Sequence, residues 1–204
     1  MIRDYRRLPA GLIALLLASL ACSLFTGQPA EEAPNTEIPA PQKASPQPGM
    51  KTEPPSAKGN ELLQWAISAA ASSEFGEFDW SAKQATGAPD TAECGDLTTA
   101  WASAAAGSIE WLELKYEKAV RPTQVVIYQT YNPSQVVRVE LIDTQGGYHE
   151  VFSDQPQTRP CPYKLVVAVP PVQFLAAGVK ITVDQTAIQD WNEIDAVQLV
   201  GFVE

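Results

Sequence analysis

The chain has 204 residues, a net charge of −10 and 17 prolines, with 45% of its residues hydrophobic. A surface this acidic repels phosphate backbones and anionic headgroups. That excludes nucleic acid as a partner and leaves neutral ligands, divalent cations and cationic proteins. The length suits one domain with a proper core rather than several.

Residues 1–21 read as an export signal: Arg3, Arg6 and Arg7, then apolar and small residues from Leu8 to Ala21, too few to cross a bilayer comfortably. The stretch LASLAC, Leu17–Cys22, resembles a bacterial lipoprotein signal, which implies acylation of Cys22. The expected protein is held by lipid on the extracytoplasmic face of a bacterial cell membrane. Plain cleavage or retention of the leader are the alternatives. Loss of residues 1–21, with three Arg and one Asp, would leave a net charge of −12. Residues 22–60 are dominated by Pro, Glu, Gln, Ala, Thr and Ser and are nearly free of apolar side chains. Such a stretch cannot offset its ordering entropy, so it is expected to be a disordered, partly polyproline-like tether.

The foldable part is expected at 61–204. Leu62–Ser72 is predicted as a first strand, and Trp80–Thr86 as a short helical turn ended by Gly87 and Pro89. A loop follows over Ala88–Ala100. Ile109–Tyr116 alternates, with Ile109, Trp111, Leu112, Leu114 and Tyr116 set against Glu110, Glu113 and Lys115, which puts Trp111 in the core. Thr123–Tyr131 is β-branched and aromatic. Gln135–Asp143 and Tyr148–Phe152 flank a Gly146–Gly147 turn as a hairpin, and Tyr163–Val169, Val179–Asp184 and Ile194–Val200 complete the series. About eight short strands and one short helix predict an all-β fold, an antiparallel sandwich of jelly-roll type. With Cys22 lipidated, Cys94 and Cys161 remain as an even pair in an oxidising compartment and are read as one disulfide. Neither lies in a CxxC or near the single His149, which argues against a thiolate metal site.

Four stretches carry a family likeness: Ser73–Asp90 (SEFGEFDWSAKQATGAPD), Cys94–Ser103 (CGDLTTAWAS), Ile109–Tyr131 and Trp191–Gly201 (WNEIDAVQLVG). In order and spacing they resemble galactose-binding-like, discoidin-type domains. The likeness extends to the discoidin-like part of F-box/leucine-rich-repeat and pappalysin-type proteins. The resemblance implies a jelly roll whose sheet-end loops bind carbohydrate, and in some members lipid or protein, with a structural Ca²⁺ beside the terminal strands of others. It also implies that the loop Asp90–Trp101 and the start of the last strand lie near each other.

That juxtaposition nominates Asp90, Asp96, Glu193 and Asp195, with Thr98 and Thr99, as oxygen donors for Ca²⁺. The acids sit upstream of the position a Glu takes in the Ca²⁺-binding relatives, where this chain has Ala196 and Gln198. The alternative is that the Asp and Thr side chains brace the loop against backbone amides. For ligand contact the candidates are Trp191, Tyr131, Trp101 and Trp80, since pyranose faces lie flat on aromatic rings. Trp101 also reads as a plug that pins its loop. No GxSxG, HExxH or phosphate-cradling glycine loop occurs, and His149 stands alone, so an enzyme is not expected. The functional expectation is a binding module for a glycan. A structural or protein-interaction domain of a cell-surface complex is the competing class.

Overall fold

The structure is a computed structural model and describes residues 60–133 and 135–204. The expected leader, Cys22 and the tether up to residue 59 lie outside the described residues. Among these, no helix is long and apolar enough to cross a membrane.

The strands are β1 (Glu61–Trp65), β2 (Ser68–Ala71), β3 (Ile109–Tyr131), β4 (Val136–Asp143), β5 (Tyr148–Ser153), β6 (Tyr163–Ala168), β7 (Ala176–Asp184) and β8 (Glu193–Phe202). The only described helix is a 3-10 turn at Ala82–Ala85, within the predicted helical segment. Every pairing is antiparallel. One layer runs β1-β8-β3-β6. The other runs β2-β3-β7-β4-β5. The all-β jelly-roll expectation holds.

Two strand boundaries differ from expectation, each for a physical reason. Leu62–Ser72 is two strands, because the chain leaves one layer at the buried Ala66 and enters the other. Conversely, Ile109–Tyr131 is one continuous 23-residue strand. Its first part pairs with β2 and β7 and its last part with β8 and β6, so it belongs to both layers. The register shift between Lys115 and Val120 lets it turn from one layer to the other. Pro122, which has no N–H to give a ladder, sits at a second shift beside β8.

Strict alternation in β3 places Leu112, Leu114 and Tyr116 in the core. Ile109 and Trp111 therefore fall on the outer face with Glu113. Ile109 is 62% exposed, and Trp111 lies half-buried under the Lys180 ammonium, 4.8 Å from its ring centre. This corrects the core assignment of Trp111. Strand β8 is buried on both faces, with Ile194, Val197 and Leu199 inward against Val179, Ile181 and Val183 of β7 in one apolar cluster. Each such side chain contributes about 1.5–3 kcal/mol on burial. Adding a Cβ at Gly201 would place it 2.3 Å from the Arg121 carbonyl oxygen, so the close β8–β3 approach there admits only glycine.

Candidate functional site

Three irregular segments meet where β8 begins: Ser73–Trp80, Asp90–Ser103 and Asp190–Asn192. Trp101 ties them together. It is fully buried, its backbone exchanges two hydrogen bonds with Ile194 of β8, and its indole N–H donates to the Ser73 carbonyl at 3.1 Å. With no exposed face it offers nothing to a ligand. Trp101 is a plug, and it leaves the set of ligand contacts.

Trp80 and Trp191, by contrast, are brought together. Both pack edge-on to Phe75, each at 5.4 Å between ring centres. Phe75 itself is 52% exposed. With Asp96, Ala102 and Glu193 these rings line a cleft of ≈130 Å³. Trp191 is fixed by its indole N–H donating to Ser103 O at 2.8 Å, and Trp80 by donating to Asp96 Oδ1 at 3.0 Å. Trp80 also holds φ at 54°, in the left-handed region that a bulky side chain occupies only under constraint. The constraint is visible: its N–H donates to Thr98 O and its carbonyl accepts from Ala102 N. Tyr131 takes a different place. Its phenol donates to Asp190 Oδ2 at 2.9 Å, which raises its pKa, and it does not line the cleft.

The four acids expected to share a cation divide into two pairs. Asp96 hydrogen-bonds Glu193, and Asp90 hydrogen-bonds Asp195. Glu193 and Asp195 are each only 1% exposed. Burial, aided by Asp96, pushes Glu193 from 4.5 up to about 8. Burial, aided by Asp90, pushes Asp195 from 3.8 up to about 6. Each buried acid also accepts a loop amide: Leu97 N–H to Glu193 Oε2 at 3.2 Å, and Thr91 N–H to Asp195 Oδ2 at 3.5 Å. Thr99 and Thr91 join hydroxyls at 2.6 Å. Ca²⁺ asks for six to eight oxygens including several ionised carboxylates. Among the described residues no three His, Cys, Asp or Glu side chains converge as a metal site. In this arrangement each buried acid holds a loop amide, which braces the loop.

Beneath the cleft runs an amide network that sequence reasoning missed. Gln185 Nε2 donates to Ser103 Oγ at 2.7 Å, and Gln185 Oε1 accepts from Asn192 N–H at 3.1 Å. The Asn192 amide in turn donates to Gln129 Oε1 at 2.9 Å. Isolated Gln and Asn at or just beyond strand ends give no periodic signal. Phe75 was also missed, although an aromatic in a Gly- and Glu-rich turn segment is a signal for an exposed ring. His149 lies on the β4–β5 hairpin, pairs with Asp143 at 2.7 Å and stacks on Phe174.

The expected disulfide is present between Cys94 and Cys161, closing a separation of 67 residues. A family model, the C-terminal SD scarf domain of pappalysin-1, matches residues 55–204. The chain belongs to this family. The scarf domain's galactose-binding-like fold also appears in solved structures of low identity. Chitosan-binding module 1 of a chitosanase/glucanase from Paenibacillus sp. IK-5 is 14% identical with a TM-score of 0.53, covering 66% of this chain and 94% of the module. The family 32 carbohydrate-binding module of C. perfringens NanJ, solved with galactose, is 18% identical with a TM-score of 0.50, covering 68% and 99%. Truncated AlyQ, which has CBM32 and alginate lyase domains, is 18% identical with a TM-score of 0.51, covering 72% of this chain and 34% of that one. Among the curated proteins no match is found. At these identities the likeness establishes the scarf domain's fold.

Proposed function

We propose that this scarf domain is a saccharide-binding module displayed outside a bacterial cell, anchored through acylated Cys22. The observation that carries the reading is the convergence of Phe75, Trp80 and Trp191 on one open cleft that ends in the Asp96–Glu193 pair. Aromatic rings take the apolar face of a pyranose, while the Asp96 carboxyl group at the end of the cleft offers acceptor oxygens for its hydroxyls. The family 32 module solved with galactose and the chitosan-binding module, which share this fold, support the same class. A protein-interaction domain would present a flat, apolar loop end without an aromatic cleft, which is why that reading ranks second.

Binding, not turnover, is the role assigned. Retaining glycosidases hold their carboxyl groups about 5–5.5 Å apart and inverting ones further. A hydrogen-bonded pair is too close for either geometry.

On a glycan array, the full chain is expected to retain at least one saccharide, and Trp80→Ala or Trp191→Ala to weaken that retention about tenfold or more, near 1.4 kcal/mol. Trp111→Ala, on the outer sheet face, should leave it unchanged. Equal loss in all three variants, or no retention by the parent, would defeat the assignment. The anchor is tested separately: palmitate labelling in cells should disappear in Cys22→Ala, and persistence of the label would refute it.

A further inference from the structure

The lining of the aromatic cleft is poor in hydrogen-bond donors. Both indole N–H groups are spent, Trp80 on Asp96 Oδ1 at 3.0 Å and Trp191 on the Ser103 carbonyl at 2.8 Å. The Ala102 N–H goes to the Trp80 carbonyl at 3.1 Å, and the Phe75 N–H to the Ala102 carbonyl at 2.8 Å. Among the described residues, no Lys, Arg or His lines the cleft. A ligand therefore meets three aromatic rings and acceptor oxygens. The rings form a box rather than a stack, since Phe75 stands at 75° to Trp80 and at 82° to Trp191. Aromatic walls attract a cation placed over a ring face.

The charge at the inner end of the cleft is unanswered. Asp96 hydrogen-bonds the buried Glu193. A hydrogen bond between two carboxyl groups uses one proton, so the pair keeps one negative charge. Among the described residues the ion pairs lie elsewhere, at Arg121, Arg138, His149, Arg159 and Lys180. Residues 73–103, which supply most of the lining, carry Glu74, Glu77, Asp79, Asp90, Glu93 and Asp96 against Lys83 alone. Such a field draws cations to the cleft and repels carboxylated or sulfated sugars.

One ligand chemistry answers every part of this lining. An ammonium group brings donors and no acceptor, favours aromatic rings, and bonds a carboxylate with charge assistance. A neutral sugar leaves the negative charge unanswered. An N-acetyl group brings a carbonyl for which the lining side chains hold no free donor. The volume, ≈130 Å³, is below the about 300–1,000 Å³ of drug-sized sites, so the cleft suits one ring rather than an oligomer.

We infer that the aromatic cleft selects a sugar residue bearing a free, protonated amino group, whose ammonium sits against Asp96. This rests on the saccharide-binding reading of the same cleft and names the class of sugar within it.

The test is NMR titration of the ¹⁵N-labelled full chain at pH 6, with the Trp80 and Trp191 indole N–H signals reporting the cleft. The ligands are methyl glucosaminide, methyl glucoside and methyl N-acetylglucosaminide, with choline as an ammonium that lacks the sugar ring. Methyl glucosaminide is expected to bind about tenfold tighter than either other sugar, and added salt should shrink the gap. Asp96→Asn keeps the side-chain shape and an oxygen for the Trp80 indole, so thermal stability and the glucoside titration should stay as they are. Its glucosaminide affinity should fall to the glucoside level. Equal or tighter binding of the glucoside or the N-acetyl sugar by the unaltered chain would overturn the inference and leave the proposed function standing. A preference that survives in Asp96→Asn would overturn it as well, and so would choline binding tighter than methyl glucosaminide. No indole shift with any of the three sugars would overturn the inference, and together with an empty glycan array it would remove the proposed function too.

Discussion

Replacing Cys94 and Cys161 together by serine should lower the unfolding free energy by about 4 kcal/mol, the chain-entropy value for a bridge across 67 residues. For a domain of this size that corresponds to a fall in melting temperature on the order of 10 °C. The bridge also acts locally. Asp96, which fixes the Trp80 indole, follows Cys94 by two residues, and Thr91, which donates to Asp195, precedes it by three. Opening the bond thus loosens the loop that walls the cleft, so saccharide affinity should fall along with stability. Urea unfolding of the double variant, and of the unaltered chain under reductant, should give the same displaced midpoint. A displacement equivalent to less than about 1 kcal/mol would mean that the amide–carboxyl contacts hold the loop unaided.

How much of this was legible in the sequence depends on which physical signal each feature leaves. Alternation in Gln135–Asp143 and the Gly146–Gly147 turn are local signals, and the β4–β5 hairpin follows them closely. The phase of β3 is different. IEWLELKY contains apolar residues of both parities, so periodicity alone left Trp111 free to be read as core. Only the partner strands decide, by burying Leu112, Leu114 and Tyr116. The fusion of two expected strands into β3 was hidden for a related reason. A proline and three charges across EKAVRP look like a break, yet a bulge beside β8 tolerates them. Conversely, the change of layer at Ala66 breaks no pattern, because Leu62–Ser72 is apolar or small nearly throughout.

The site divides along the same line. Trp80 and Trp191 were identifiable as residue types at segment ends, but their meeting through Phe75 is a long-range contact that no spacing encodes. The acids of the Asp90–Trp101 loop and of β8 stand in two pairs, Asp96 with Glu193 and Asp90 with Asp195. Their chemistry was not visible, because it depends on burial. Two exposed carboxylate pairs would repel and invite a cation. With Glu193 and Asp195 withdrawn from water, both hold their protons to a higher pH than exposed carboxyls do, Glu193 to about 8 and Asp195 to about 6.

That difference predicts a domain that loses stability as pH rises from 5 to 8, against the common pattern for acidic proteins. Glu193 titrates near 4.5 when exposed in the unfolded chain and near 8 in the fold; for Asp195 the values are 3.8 and about 6. In both, the folded state keeps its proton to a higher pH than the unfolded state. Below about pH 4 both states are protonated and the groups contribute no difference. Between the unfolded and folded values the native state binds more protons, so the unfolding free energy falls by about 1.4 kcal/mol per pH unit for each group within its window. The combined loss by pH 8 is on the order of several kcal/mol. Asp143 and Glu110 have lowered pKa values, so their contribution is full above pH 5 and is lost only at more acidic pH. Urea midpoints at pH 5, 6.5 and 8 should therefore decline in that order. Glu193→Gln keeps the shape and the acceptor for Leu97 N–H but removes the proton, and should flatten the decline above pH 6. A midpoint that is constant or rises over this range would mean that Glu193 is ionised in the fold, and the proton-sharing account of the loop would fail. If the decline is present and vanishes in Glu193→Gln, then a buried proton at the inner end of the aromatic cleft performs the bracing that the sequence had suggested for a cation.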